Sequence, residues 1–120
     1  EPIRTWGGRL YWVEPPAYSK KFDKVMDFVY KMLNVLIQGG AADCTKEAMI
    51  RADVALPKDT MLLIQIHDEL GIDTEKSRLD KDMKILREAM ESVEFDVKMI
   101  TDGKCSAKNW GAVTKYNDRR

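Results

Sequence analysis

The segment that most limits what this chain can fold into is MLLIQIHDELG, residues 61–71. Residues 60–67 read as a buried strand, with Leu62, Ile64 and Ile66 on one face and Met61, Leu63, Gln65 and His67 on the other. The run ends abruptly in His67-Asp68-Glu69. If it pairs with a second strand around residues 70–73, those three side chains stand at or beside a tight turn. Two adjacent carboxylates held rigidly, with no neighbouring Lys or Arg, repel one another. A divalent cation relieves that repulsion, and hard carboxylate oxygens suit Mg²⁺. Taken alone, the three residues fit a plain polar turn better, and His67 fits a hydrogen-bonded structural histidine.

The rest of the chain supplies elements to pack around that strand. GRLYWV, residues 8–13, is β-prone and is stopped by Glu14-Pro15-Pro16. From Ser19 to Asn34, apolar residues recur at three- and four-residue steps, predicting a helix. Gly39-Gly40 is expected to interrupt it, and a second helix is expected from about Ala41 to Ala55. Leu79, Met83, Leu86, Met90 and Val93 form the stripe of a third, with Asp73 or Thr74 available as its cap. Phe95–Ile100 alternates and predicts a closing strand, and YNDRR at the end reads as a frayed tail. The expected class is α+β: a small antiparallel sheet packed against about three helices.

Composition narrows the function classes. With 120 residues the chain is one domain's worth, and 20 basic against 20 acidic residues leave no bulk field to steer it toward nucleic acid. Any such contact must come from local placement. Cys44 and Cys105 match no metal-binding spacing; they read as reduced thiols of a cytosolic protein, with a single disulfide the other option. No apolar stretch reaches the ~20 residues that cross a bilayer, so no membrane role is expected.

Four blocks then carry a resemblance. QIHDEL (65–70) resembles motif C of family A DNA polymerases, a β-hairpin of the palm. NVLIQGGAADCTKEAMI (34–50) resembles the segment that opens that family's long palm helix. TWGGRLYWVEP (5–15) resembles the stretch following the fingers, and FDVKMITDGKCSAKNW (95–110) resembles the closing strand. The blocks occur in the family's order and span most of the chain.

The resemblance implies the C-terminal palm portion of a DNA-directed DNA polymerase over residues 1–120, one that works in the cytoplasm of a bacterium or of a phage host. Asp68 would bind the catalytic Mg²⁺ ions, Glu69 would support that metal site, and His67 would stand near the primer terminus. Asn34 and Gln38 would reach primer–template DNA in the minor groove, and Thr5 and Arg9 would follow the template strand. Gln38 beside two glycines also fits a helix cap, Arg9 a plain surface arginine, and Asp43 and Lys46 an exposed helix face. Trp6, Trp12 and Trp110 could stack on bases, but read first as packing residues.

Several positions depart from the family pattern. Leu36 stands where a proline is usual, implying a softer helix break, and Tyr30 stands where an arginine is usual, with Lys31 beside it. Leu70-Gly71 implies a short or bulged second hairpin strand. Motif A, with the other metal-binding aspartate, and the fingers that hold the dNTP have no counterpart here. The expectation is therefore a chain inert alone that needs a complementary fragment, from a naturally split phage enzyme or a longer polymerase. A non-catalytic DNA- or protein-binding module on a palm scaffold is the alternative.

Overall fold

The computed structural model describes residues 1–116; the last four, and with them most of the expected frayed tail, lie outside the described residues. Tyr116 is anchored, its amide donating to the Gly103 carbonyl at 2.8 Å and its hydroxyl to Asp80. The class is α+β. Element order is β1 (Ile3–Arg4), β2 (Leu10–Tyr11), β3 (Ala17–Ser19), β4 (Lys24–Met26), α1 (Tyr30–Ala55), β5 (Met61–Ile66), β6 (Glu69–Asp73), α2 (Leu79–Glu91), β7 (Lys104–Cys105) and β8 (Thr114–Lys115). The strands pair as four antiparallel hairpins, β1–β2, β3–β4, β5–β6 and β7–β8. Two compact units divide the chain, residues 1–44 and residues 45 onward.

In the first unit a buried carboxylate closes the β1–β2 turn. Asp43, in α1, accepts the Thr5 hydroxyl at 2.5 Å, the Gly7 amide at 3.2 Å and the Arg9 guanidinium at 2.6 Å. The Thr5 oxygen in turn accepts the Arg9 amide at 3.1 Å. Thr5 packs onto α1 at Gly39, where an added Cβ would come within 2.9 Å of its methyl group. Gly39-Gly40 thus provides room for a neighbour and does not break the helix. A single helix of 26 residues runs through both glycines. Leu36, unlike proline, keeps its N–H and clashes with no carbonyl, so nothing forces a kink.

The helix expected from Ser19 is a hairpin up to Met26, with Ala17 opposite Met26 and Ser19 opposite Lys24. Asp23 turns it with φ 49°, in the left-handed region that Asp tolerates better than most residues. The three- and four-residue steps of Phe22, Val25 and Val29 come from this turn and the approach to α1, not from one helical face.

In the second unit, Ala52, Leu56, Leu86 and Ala89 form the core, with Leu70 and Ile72 of β6 packed against it. The α2 stripe faces inward as expected: Leu86 and Val93 are buried, and Leu79, Met83 and Met90 half-buried. Its start is not capped by Asp73 or Thr74. A 3₁₀ turn over Lys76–Arg78 leads in, and Arg78 occupies the cap position without a side-chain capping bond. Asp82, fully buried, accepts the hydroxyls of Thr60 and Thr74 instead.

Phe95–Ile100 forms no strand; Thr101 is tied back by its amide and hydroxyl to Glu91 of α2, each at 2.9 Å. Alternation alone does not make a strand without a neighbour to share its backbone hydrogen bonds. Val97 and Ile100 are accordingly left exposed. No disulfide joins Cys44 and Cys105.

Two outcomes test this architecture. Leu86→Ala, at the centre of an alanine-rich core that collapses poorly, should lower unfolding free energy by about 3 kcal/mol in denaturant titration. Asp43 has its carboxyl held below the ordinary range, chiefly by the Thr5 hydroxyl and also by the Gly7 amide and Arg9, against the opposing effect of burial. A depressed carboxylate stabilises the fold above its unfolded value of ~3.9 and loses that contribution as pH falls through the folded value. Asp43→Asn should therefore flatten stability against pH below about pH 4 in acid titrations followed by circular dichroism.

Candidate functional site

The hairpin β5–β6 ends in the two-residue loop His67-Asp68, since Ile66 pairs with Glu69. His67 carries φ 50°, the mirror-image backbone that two-residue hairpin loops require. Glycine or asparagine is the low-cost choice there. A histidine followed by an aspartate keeps strain that a structural turn would shed, and such strain concentrates at functional sites. His67, Asp68 and Glu69 are all exposed. The Gln65 amide donates to the His67 carbonyl at 2.7 Å and pins the turn. Gln65 thus joins the site, and the period of a strand already places it on the same side as His67.

The strand beneath is less regular than expected. A bulge at Leu63 separates the pairs Leu62–Ile72 and Ile64–Gly71. It lies on the first strand, and the second, at five residues, is not shortened. Gly71 admits the Ile64 side chain, whose Cγ2 would lie 2.8 Å from an added Cβ. The bulge shifts the alternation, so the expected buried face does not form. Leu62 and Ile66 are half-buried, whereas Met61, Leu63 and Ile64 are 58%, 58% and 42% exposed.

The other candidates lie in the first unit. Asn34 and Gln38 are both exposed and four residues apart on α1, hence on one face. Gln38 sits inside a continuous helix, so the helix-cap reading is lost. Thr5 is 4% exposed and its hydroxyl is committed to Asp43, which leaves it to orient the turn. Arg9 is half-exposed even while paired with Asp43. Asp43, expected on an exposed helix face, is the hub of this network; the signal available was an arginine and a threonine four residues apart, both needing an acceptor.

Lys31, beside the missing arginine, pairs with Glu14 at 2.6 Å. Lys31 and the Tyr11 hydroxyl together lower the Glu14 carboxyl to about 2. Trp6, Trp12 and Trp110 are 44%, 66% and 59% exposed, so the expectation that they pack is not met here.

For a hard divalent cation the turn offers the right kind of donor, carboxylate oxygens on a rigid backbone. Among the described residues no group of three or more His, Cys, Asp or Glu side chains gathers to complete a site around them. No described helix is long and apolar enough to cross a membrane.

Comparison with known proteins places these features in a family. The family model described as DNA polymerase family A matches residues 2–112. The DNA polymerase I of Streptococcus pneumoniae is 39% identical over 74 residues, covering 58% of this chain and 8% of the relative. That of Bacillus caldotenax is 36% identical over 81 residues, 64% of this chain and 9% of the relative. The thermostable DNA polymerase I of Thermus thermophilus is 32% identical over 93 residues, 76% of this chain and 11% of the relative. The chain thus spans about a tenth of the length of these relatives. No solved structure matches it. Matched along nearly all of its length, the chain belongs to DNA polymerase family A.

Proposed function

We propose that this chain is the C-terminal palm portion of a DNA-directed DNA polymerase, contributing one carboxylate corner of a two-Mg²⁺ nucleotidyl-transfer site. The observation that carries this reading is the His67-Asp68 turn: a strained two-residue loop that holds an exposed aspartate at the tip of a hairpin. In a two-metal site, carboxylates clamp ions that polarise the attacking and leaving oxygens of an in-line displacement. Asp68 is the metal ligand, Glu69 supports it, and His67 stands toward the primer end. Two Mg²⁺ ions need more oxygen ligands than one turn supplies, so the remaining aspartate and the dNTP-binding groups come from a complementary fragment.

The surface of α1 supports a partner. The apolar face of a helix is normally enclosed. Here Tyr30, Leu33 and Ile37 in its first half and Ile50 and Val54 in its second are 58–82% exposed. That fragment is the occupant the reading supplies for this surface. Asn34 and Gln38, displayed on one face, suit the minor groove, where every base pair offers acceptors that an amide can meet. Arg9, steadied by Asp43 and half-exposed, suits backbone phosphate.

Primer extension by the chain combined with a fragment carrying motif A and the fingers tests the reading. Extension should appear only in the mixture, and Asp68→Ala should lower it by at least about 10³-fold without loss of folding. If the mixture binds primed DNA and extends nothing, the chain is a non-catalytic module. In the same mixture, Asn34→Ala and Gln38→Ala should each weaken primed-duplex binding by about 3- to 10-fold. Their salt dependence should stay unchanged, because neither contact releases a counterion.

A further inference from the structure

We infer that Asp82 is a positioning residue for Asp68: it closes the open end of the β5–β6 hairpin onto α2 and thereby fixes where the turn stands. For its catalytic meaning this rests on the polymerase reading above. The last residue pair at the open end is Met61–Asp73, and Thr60 and Thr74 flank it directly. Both hydroxyls donate to the same oxygen, Oδ2 of Asp82, so both strand ends converge on one atom of α2. Arg78, one turn earlier, donates to Asp59 at 2.7 Å and to Thr60 at 3.3 Å, which secures the chain entering β5.

The place of Asp82 in α2 gives this arrangement a geometric role beyond packing. Asp82 lies on the inner side of α2 with Leu86 and Ala89, all buried, where an apolar side chain would pack without desolvating a charge. Its carboxylate is 0% exposed, and its Oδ1 and the neighbouring Arg78 Nε are buried without a hydrogen-bond partner. The two hydroxyls and the Arg78 guanidinium, 3.9 Å away, offset the burial of this charge, and the best-attested return of such a buried group is a unique register. The Leu63 bulge interrupts the ladder between base and tip, so the pairing at the turn does not by itself fix where the base stands.

Leverage gives the clamp its consequence. Six strand residues at ~3.4 Å each put the turn about 20 Å from its base. A tilt of about 3° at the base therefore moves Asp68 by about 1 Å, a displacement that costs on the order of 10²-fold in rate where a group must meet reacting atoms.

Backbone amide exchange of the full chain and Mg²⁺ titration of primer extension in the mixture test the clamp. Asp82→Ala, and the milder Thr74→Val in case the former does not fold, should speed exchange of β5 and β6 amides by about tenfold. The Leu86–Met90 amides of α2 should stay within about twofold. The Mg²⁺ concentration for half-maximal extension should rise at least about fivefold, whereas simple loss of folded protein lowers yield and leaves that concentration in place. Hairpin and α2 amides accelerating together, or an unmoved Mg²⁺ midpoint, would overturn the proposal. If the wild-type mixture extends no primer, the polymerase reading fails and the exchange experiment alone decides whether the clamp exists.

Discussion

A carboxylate withdrawn from water must find its hydrogen bonds where it lies, and both units of this chain are organised around that requirement. In the first, Asp43 gathers a threonine hydroxyl, a backbone amide and an arginine, and the β1–β2 turn is held against α1 as a result. In the second, Asp82 gathers two threonine hydroxyls, with an arginine one turn away. Among the described residues, three of the seven buried apolar side chains are alanines, so close packing contributes less specificity than in a leucine-rich core. Directional bonds to buried aspartates supply it.

The carboxyls of the turn stand in the opposite condition. Asp43 and Asp82 are enclosed and depressed by their donors, whereas Asp68 and Glu69 face solvent at the end of a strained loop. For Asp82, burial pushes the carboxyl up, and the Thr60 and Thr74 hydroxyls and the Arg78 charge outweigh it. One chain thus keeps two classes of aspartate, one spent on internal geometry and one held available. The family shared with the DNA polymerase I proteins gives the second class its proposed use.

The α+β class and the QIHDEL turn were legible because a period of two ending in a polar pair is a local signal. The inward stripe of α2 was legible for the same reason. Residues 19–29 were not: Phe22, Val25 and Val29 fit a helical period, but Asp23 adopts a left-handed backbone that spacing does not report. Gly39-Gly40 reads as a stop in sequence because the Thr5 methyl that fills the space above Gly39 lies 34 residues earlier. Asp43 and Asp82 escaped for a related reason. Their partners are distant in sequence, and on a helix surface a buried aspartate reads the same as a solvated one.

Each sheet among the described residues has two strands, so each strand is an edge. A two-stranded ribbon leaves half of its ladder unfilled, a row of amides and carbonyls open to any extended peptide. In β4, β7 and β8 a lysine interrupts that row, at Lys24, Lys104 and Lys115. The strand MLLIQI carries none, and it combines β-branched and aliphatic residues without charge or proline over six positions. The strand that leads to the His67-Asp68 turn is thus also the stickiest template among the described residues, and a neighbour laid along it would shield the molecule from joining itself into fibrils.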